Sequence, residues 1–248
     1  MNILSVFFNT ILYQPLLNIL ILLYTYFPGH DFGIAIIILT LLIKIILSPT
    51  SLKAVRSQRI LAELQPKIKE IQQKHKNDKA KQSQAMMEIY KKEKINPLSG
   101  CFPLLIQLPI LIAMYQVFLR GLTPEALGEA LYKFVPYPSS INLMFLGIID
   151  LGQPNIFLAL LAGILQFFQS KLSVSSTKIK KEQGKTSKKD FSSMMQNQML
   201  YFFPVLTVFI VWKFGSIIGL YWIVSALFSI GEQYIIRKQK VNPVKKPT

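Results

Sequence analysis

Five stretches of this chain, residues 31–48, 97–118, 154–171, 196–213 and 216–236, are apolar over lengths that approach what a helix needs to cross a lipid bilayer. In hydrocarbon every backbone polar group must be satisfied internally, which leaves only helices and closed barrels as spanning structures. Barrel strands alternate apolar and polar residues, and these stretches do not. The 248-residue chain, 51% hydrophobic, therefore reads as an all-α polytopic membrane protein with a five-transmembrane-helix core.

Charge gives the core a direction. The net charge is +16, and 24 of the 28 Lys and Arg fall in three places: twelve in 49–97, seven in 171–190 and five from Arg237 onward. Clusters between apolar runs follow the positive-inside pattern, so they indicate topology rather than DNA binding. The expected organisation follows by alternation. Residues 49–96, the basic linker 172–195 and the basic tail 237–248 are cytoplasmic, and the loop 119–153 faces outward. The N-terminal segment 1–30 lacks the basic start of a signal peptide and is expected to form an interfacial or membrane helix.

Within 49–96, Leu61, Leu64, Ile68 and Ile71 recur at helical spacing, and Met86, Met87 and Tyr90 form a second stripe beyond "KHKNDK". The pattern predicts two antiparallel amphipathic helices, a cytoplasmic hairpin. One role of such a hairpin is only to bury its own stripe. The other is a platform for apolar partners, to which the soft Met86–Met87 pair is suited.

"TLLIKIILSP" places Lys44 inside an apolar run. An intramembrane charge costs several kcal/mol unless it meets water or partners. Snorkelling to the nearby helix end is one resolution. A water-filled cavity is the other, and intramembrane ionisable residues favour it. Gln166 and Gln169 share a helix face and are candidates to line the same cavity. Gln107, Asn197, Thr207 and Ser225 are candidates either for that lining or for hydrogen bonding between helices. The single cysteine, Cys101, excludes an internal disulfide and reads as a packing residue, and His30 and His75 lie far apart in sequence, so no cofactor or metal is expected. The spans carry no catalytic constellation, which argues against an intramembrane enzyme. A secondary transporter or channel using Lys44 as counter-charge is the alternative reading. It predicts a repeat between halves, and none is evident.

"QPKIKEIQQKHKND", followed by "MMEIYKKEKINPLSGCFPLLIQLPILIAMY", "FFPVLTVFIVWKF" and "GLYWIVSALFSIGEQ", resembles the YidC/Oxa/Albino membrane protein insertases over roughly residues 14–240. The resemblance implies a five-helix core, a cytoplasmic hairpin and a hydrophilic groove. Lys44 falls at a groove position where the family carries arginine, which keeps the charge and loses the planar fork of donors. Gly215-Ser216-Ile217 stands where the family usually has Pro-Ser-Gly. The family's "YW" position makes Trp222 a further groove candidate. The implied activity is passage of the polar segments of nascent membrane proteins through the groove, with apolar segments released into the lipid bilayer. The ribosome, a targeting receptor and the Sec translocon are the implied candidate partners.

Overall fold

The computed structural model describes residues 3–27, 29–93, 102–119, 121–138, 140–174 and 198–238. The chain begins with α1 (Ile3–Phe8), a π-helical turn (Asn9–Tyr13) and α2 (Gln14–Tyr26). Leu16, Leu17, Leu20, Ile21 and Tyr24 of α2 are buried. Their spacing forms the stripe an amphipathic helix lays on a core.

α3 (Phe32–Lys74) is one helix of 43 residues. Asp31 caps its start, accepting a hydrogen bond from the Ile34 N–H at 3.0 Å. The boundary expected at Ser48–Pro49 does not exist, because Pro49 and Pro66 both lie inside the helix. A proline inside a helix removes a backbone bond and costs about 3 kcal/mol in isolation. Here the turns beyond Pro49 are held from outside: Ser51 and Arg59 both bond to the last helix of the chain. After a turn at 75–78, α4 (Lys79–Lys92) folds back. Leu64 and Ile68 are buried against it, with Ile60, Leu61, Met86, Ile89 and Tyr90 around them.

α5 (Phe102–Leu119) and the short α6 (Pro124–Ala130) follow, then a two-stranded antiparallel hairpin of β1 (Met144–Phe145) and β2 (Ile149–Asp150). α7 (Ile156–Val174), a π-helical turn (Gln198–Phe202), α8 (Phe203–Phe214) and α9 (Ser216–Lys238) complete the core. α7 packs on both α8 and α9, and α9 packs on α3. Gly163 lets α7 and α8 approach: a Cβ there would lie 2.3 Å from Val208 Cγ2.

Among the described residues, Ser5–Tyr26, Phe32–Leu64, Ile156–Ser173 and Ser216–Lys238 are long and apolar enough to cross a membrane, while Gln107–Leu119 and Leu200–Phe214 are shorter apolar helices. Ile46, Phe157, Val205, Phe209 and Trp212 point outward with more than half of their surface uncovered. An apolar exterior this extensive suits lipid and not water. The protein is an all-α polytopic membrane protein.

One end of the core is closed by the 121–153 connection, which is stitched down by side chains. Asn18 Nδ2 donates to the Ala130 carbonyl at 2.9 Å, and its Oδ1 accepts from the Tyr132 N–H at 2.7 Å. The Asn142 N–H donates to the Tyr24 hydroxyl at 2.9 Å. The second oxygen of Asp31 accepts from the Leu146 N–H at 2.6 Å. Phe145 lies against Gly33, where a Cβ would come within 2.2 Å of its ring. This end is called the loop side below, and the opposite end, where α3 continues into α4, the hairpin side.

Candidate functional site

α9 carries a polar stripe on a buried face. Ser225, Ser229, Glu232 and Gln233 are all less than a tenth exposed. Their spacing of four, three and one places them on one side of the helix. Lys44 lies opposite, on α3, half-buried, and its Nζ donates to Ser229 Oγ at 3.2 Å. One turn of α9 further toward the hairpin side, Glu232 Oε2 accepts from Ser51 Oγ at 2.7 Å. Lys44 and Glu232 attract each other across this interface.

α7 closes the other flank of α9. Trp222 Nε1 donates to Gln166 Oε1 at 3.0 Å, so these two candidates meet side chain to side chain. Gln169 meets α9 differently. Its backbone carbonyl accepts from Gln233 Nε2 at 3.4 Å, and the same amide donates to Ser173 Oγ at 2.9 Å. Arginines bond the carbonyls at the hairpin-side ends of both helices. Arg59 Nη1 donates to the Ile236 carbonyl and Arg237 Nη2 to the Leu172 carbonyl. These carbonyls belong to the last turn of each helix, where no intrahelical donor remains.

The other candidates fall elsewhere. Gln107 on α5 donates to the Tyr221 hydroxyl, a helix-to-helix tie. Thr207 and Ser225 are buried between helices. Asn197 and Cys101 lie outside the described residues. In the hairpin, Met86 and Tyr90 pack inward onto Leu64 and Ile68, whereas Met87 is 45% exposed. Adjacent helical positions point about 100° apart, so the two methionines do not make a single surface. Burial among these side chains pushes the Tyr90 hydroxyl pKa up. Among the described residues no group of three or more His, Cys, Asp or Glu is placed to hold a metal ion.

Ser51, Ser229, Glu232 and Gln233 were not singled out by sequence. The spacing in "SALFSIGEQ" carried the signal, since its polar residues recur on one helical face. Ser51 carried none, because a serine just past a proline reads as the end of a span.

Residues 22–243 match the model of the family described as 60Kd inner membrane protein. A membrane protein insertase YidC of Fusobacterium nucleatum is 37% identical over 209 residues, covering 84% of this chain and 87% of that protein. A membrane protein insertase YidC of Francisella tularensis subsp. novicida is 36% identical over 208 residues, again 84% of this chain. The matched part is only 33% of the length of that relative.

Proposed function

The chain belongs to the 60Kd inner membrane protein family, and on that premise we propose that it inserts nascent membrane proteins into the bacterial plasma membrane through a positively charged hydrophilic groove. The observation that carries the reading is the placement of Lys44. It sits inside an apolar run, yet it turns toward the buried polar stripe of α9 through Ser229. Lys44, Gln166, Gln169 and Trp222 line the groove in this reading, with Ser229 and Glu232 beside them.

The hairpin, the linker 172–195 and the tail face the cytoplasm, because that placement puts the basic clusters on the positive-inside side. A polar, often acidic, segment of a substrate enters from there and is drawn to Lys44. Charge attraction in a site of low dielectric is stronger than in water. The groove shortens the distance over which such a segment would meet hydrocarbon, which costs several kcal/mol for each charge. The stitched loop side keeps the groove from opening straight through. Apolar substrate segments leave sideways, driven by transfer into lipid. The membrane potential adds direction for charged segments. No bond is made or broken. The hairpin, with Met87 outward and Met86 and Tyr90 supporting it from within, presents the surface on which a ribosome or targeting receptor would dock.

Photocrosslinking probes placed at positions 44 and 166, facing a stalled nascent membrane protein in vesicles, test this. Adducts at both positions, together with protease protection by the unsubstituted protein above that of protein-free vesicles, are expected. No protection above that background refutes the insertion reading.

A further inference from the structure

Lys44 and Glu232 are tied crosswise. α3 contributes Lys44 and Ser51, seven residues apart and so on one face, and α9 contributes Ser229 and Glu232, three apart and likewise on one face. Each charge is bound by the serine of the other helix, Lys44 by Ser229 at 3.2 Å and Glu232 by Ser51 at 2.7 Å. Neither is held by the other directly, but they attract through space. Glu232 is only 4% exposed, and among the described residues its Oε1 has no hydrogen-bond partner. An ionised carboxylate buried in this way is costly unless a positive charge compensates it. Lys44, on the facing helix, supplies that charge.

We propose that Glu232 is the internal counter-charge of Lys44, holding the groove near neutrality at rest and setting how acidic a substrate segment must be to engage the lysine. This rests on the insertion reading and extends it from what attracts a substrate to how selective the attraction is. An acidic side chain that approaches Lys44 is repelled by Glu232 while it is attracted by the lysine. A single acidic residue therefore gains little, and several gain more. The serines keep both charges placed while the balance shifts, so the groove can empty and return to the same state.

Glu232→Gln removes the charge and keeps the shape and an oxygen for Ser51. Lys44→Met removes the other charge and keeps the length of the stem. In nanodiscs holding the full chain, each single variant is expected to lower the unfolding temperature by about 3 °C or more, and the double variant to recover most of the loss. In vesicles, Glu232→Gln is expected to raise insertion of a reporter with one acidic residue in its translocated segment about fivefold, with less change for a reporter carrying three. That gain should vanish when Lys44→Met is added. If Glu232→Gln does not fold alone, the double variant decides: recovered folding supports the pairing, and continued failure overturns it. Unchanged stability and unchanged insertion in Glu232→Gln overturn the proposal. A gain that survives without Lys44 also overturns it. If no reporter is inserted above protein-free vesicles, the insertion reading fails, while the stability cycle still decides the charge pairing.

Discussion

Two of the places where the protein buries polar groups are built differently. On the loop side, Asn18 is 1% exposed and engages both its amide and its carbonyl, reaching Gln14, Ala130 and Tyr132. Asp31 is used on both oxygens. Around α9 the account stays open: among the described residues, Oε1 of Glu232, which faces α3, and Oε1 of Gln233, which bonds to α7, are buried without partners, as elsewhere is Thr25 Oγ1 of α2. A satisfied buried network fixes one structure, whereas an unsatisfied one stores free energy that another group can release. The first region behaves as a seal and the second as a place kept ready for a visitor.

The largest effect that can break this contrast is at the seal. Asn18→Leu leaves the half-buried Tyr132 N–H without its partner and the Ala130 carbonyl with Gln14 Nε2 as its remaining donor, at a cost of up to about 3 kcal/mol. For a chain of this size that lowers the unfolding temperature by roughly 6–12 °C in a thermal melt. A change under 1 °C would show that the loop side is not held by these bonds.

Next in size is the groove charge. Lys44→Glu is expected to reduce insertion of reporters with acidic translocated segments by about tenfold or more, since attraction becomes repulsion. Lys44→Ala should lose less, and Lys44→Arg should keep activity because the charge remains. Reporters with neutral segments should be affected less throughout. Equal insertion by all four proteins in a protease-protection assay would mean that Lys44 only snorkels.

Trp222→Phe separates wet from dry. It removes the donor to Gln166 Oε1. If water reaches that oxygen, the stability change stays below about 0.5 kcal/mol, whereas a dry site loses ~1–3 kcal/mol. Denaturation with the change in melting temperature as readout distinguishes the two.

The smallest expected effect lies at the hairpin turn. The Lys81 N–H bonded to Asp78 holds that carboxyl below the usual carboxylate range. Its contribution is therefore present above the unfolded-state value, about pH 3.9, and lost as pH falls through the lower folded-state value. Amide exchange at the start of α4 should quicken only in that acidic window, and Asp78→Asn should remove the dependence while keeping the cap.

Much of this was legible in the sequence, and the reasons differ by residue. The helical membrane class follows from run lengths, and Lys44 announces itself because a charge among isoleucines is costly. Gln166 was legible as a polar residue on a shared face. Its partner Trp222 came through family resemblance. The continuity of α3 through Pro49 was not legible, because what holds it is contact with α9 across 181 and 177 residues of chain. Asn18 was hidden for the same reason: its partners lie 112 and 114 residues away, on a loop with no pattern of its own. The exposed Met87 and inward Met86 were confused because a stripe read by residue type does not say which neighbour faces the partner helix.

The unbroken length of α3 has a mechanical consequence. At 1.5 Å per residue the 43-residue rod measures roughly 64 Å, about twice the thickness of the hydrocarbon it crosses. Its one missing backbone bond near the groove is at Pro49, five residues from Lys44 and 25 from the far end at Lys74. Ser51 and Arg59 tie the turns beyond that joint to α9, so the arm left free runs from Arg59 to Lys74, roughly 22 Å long. A flexure of about 5° in that arm swings the hairpin tip by ~2 Å while Lys44 stays nearly still, and a load on the tip reaches α9 through Arg59 and Ser51.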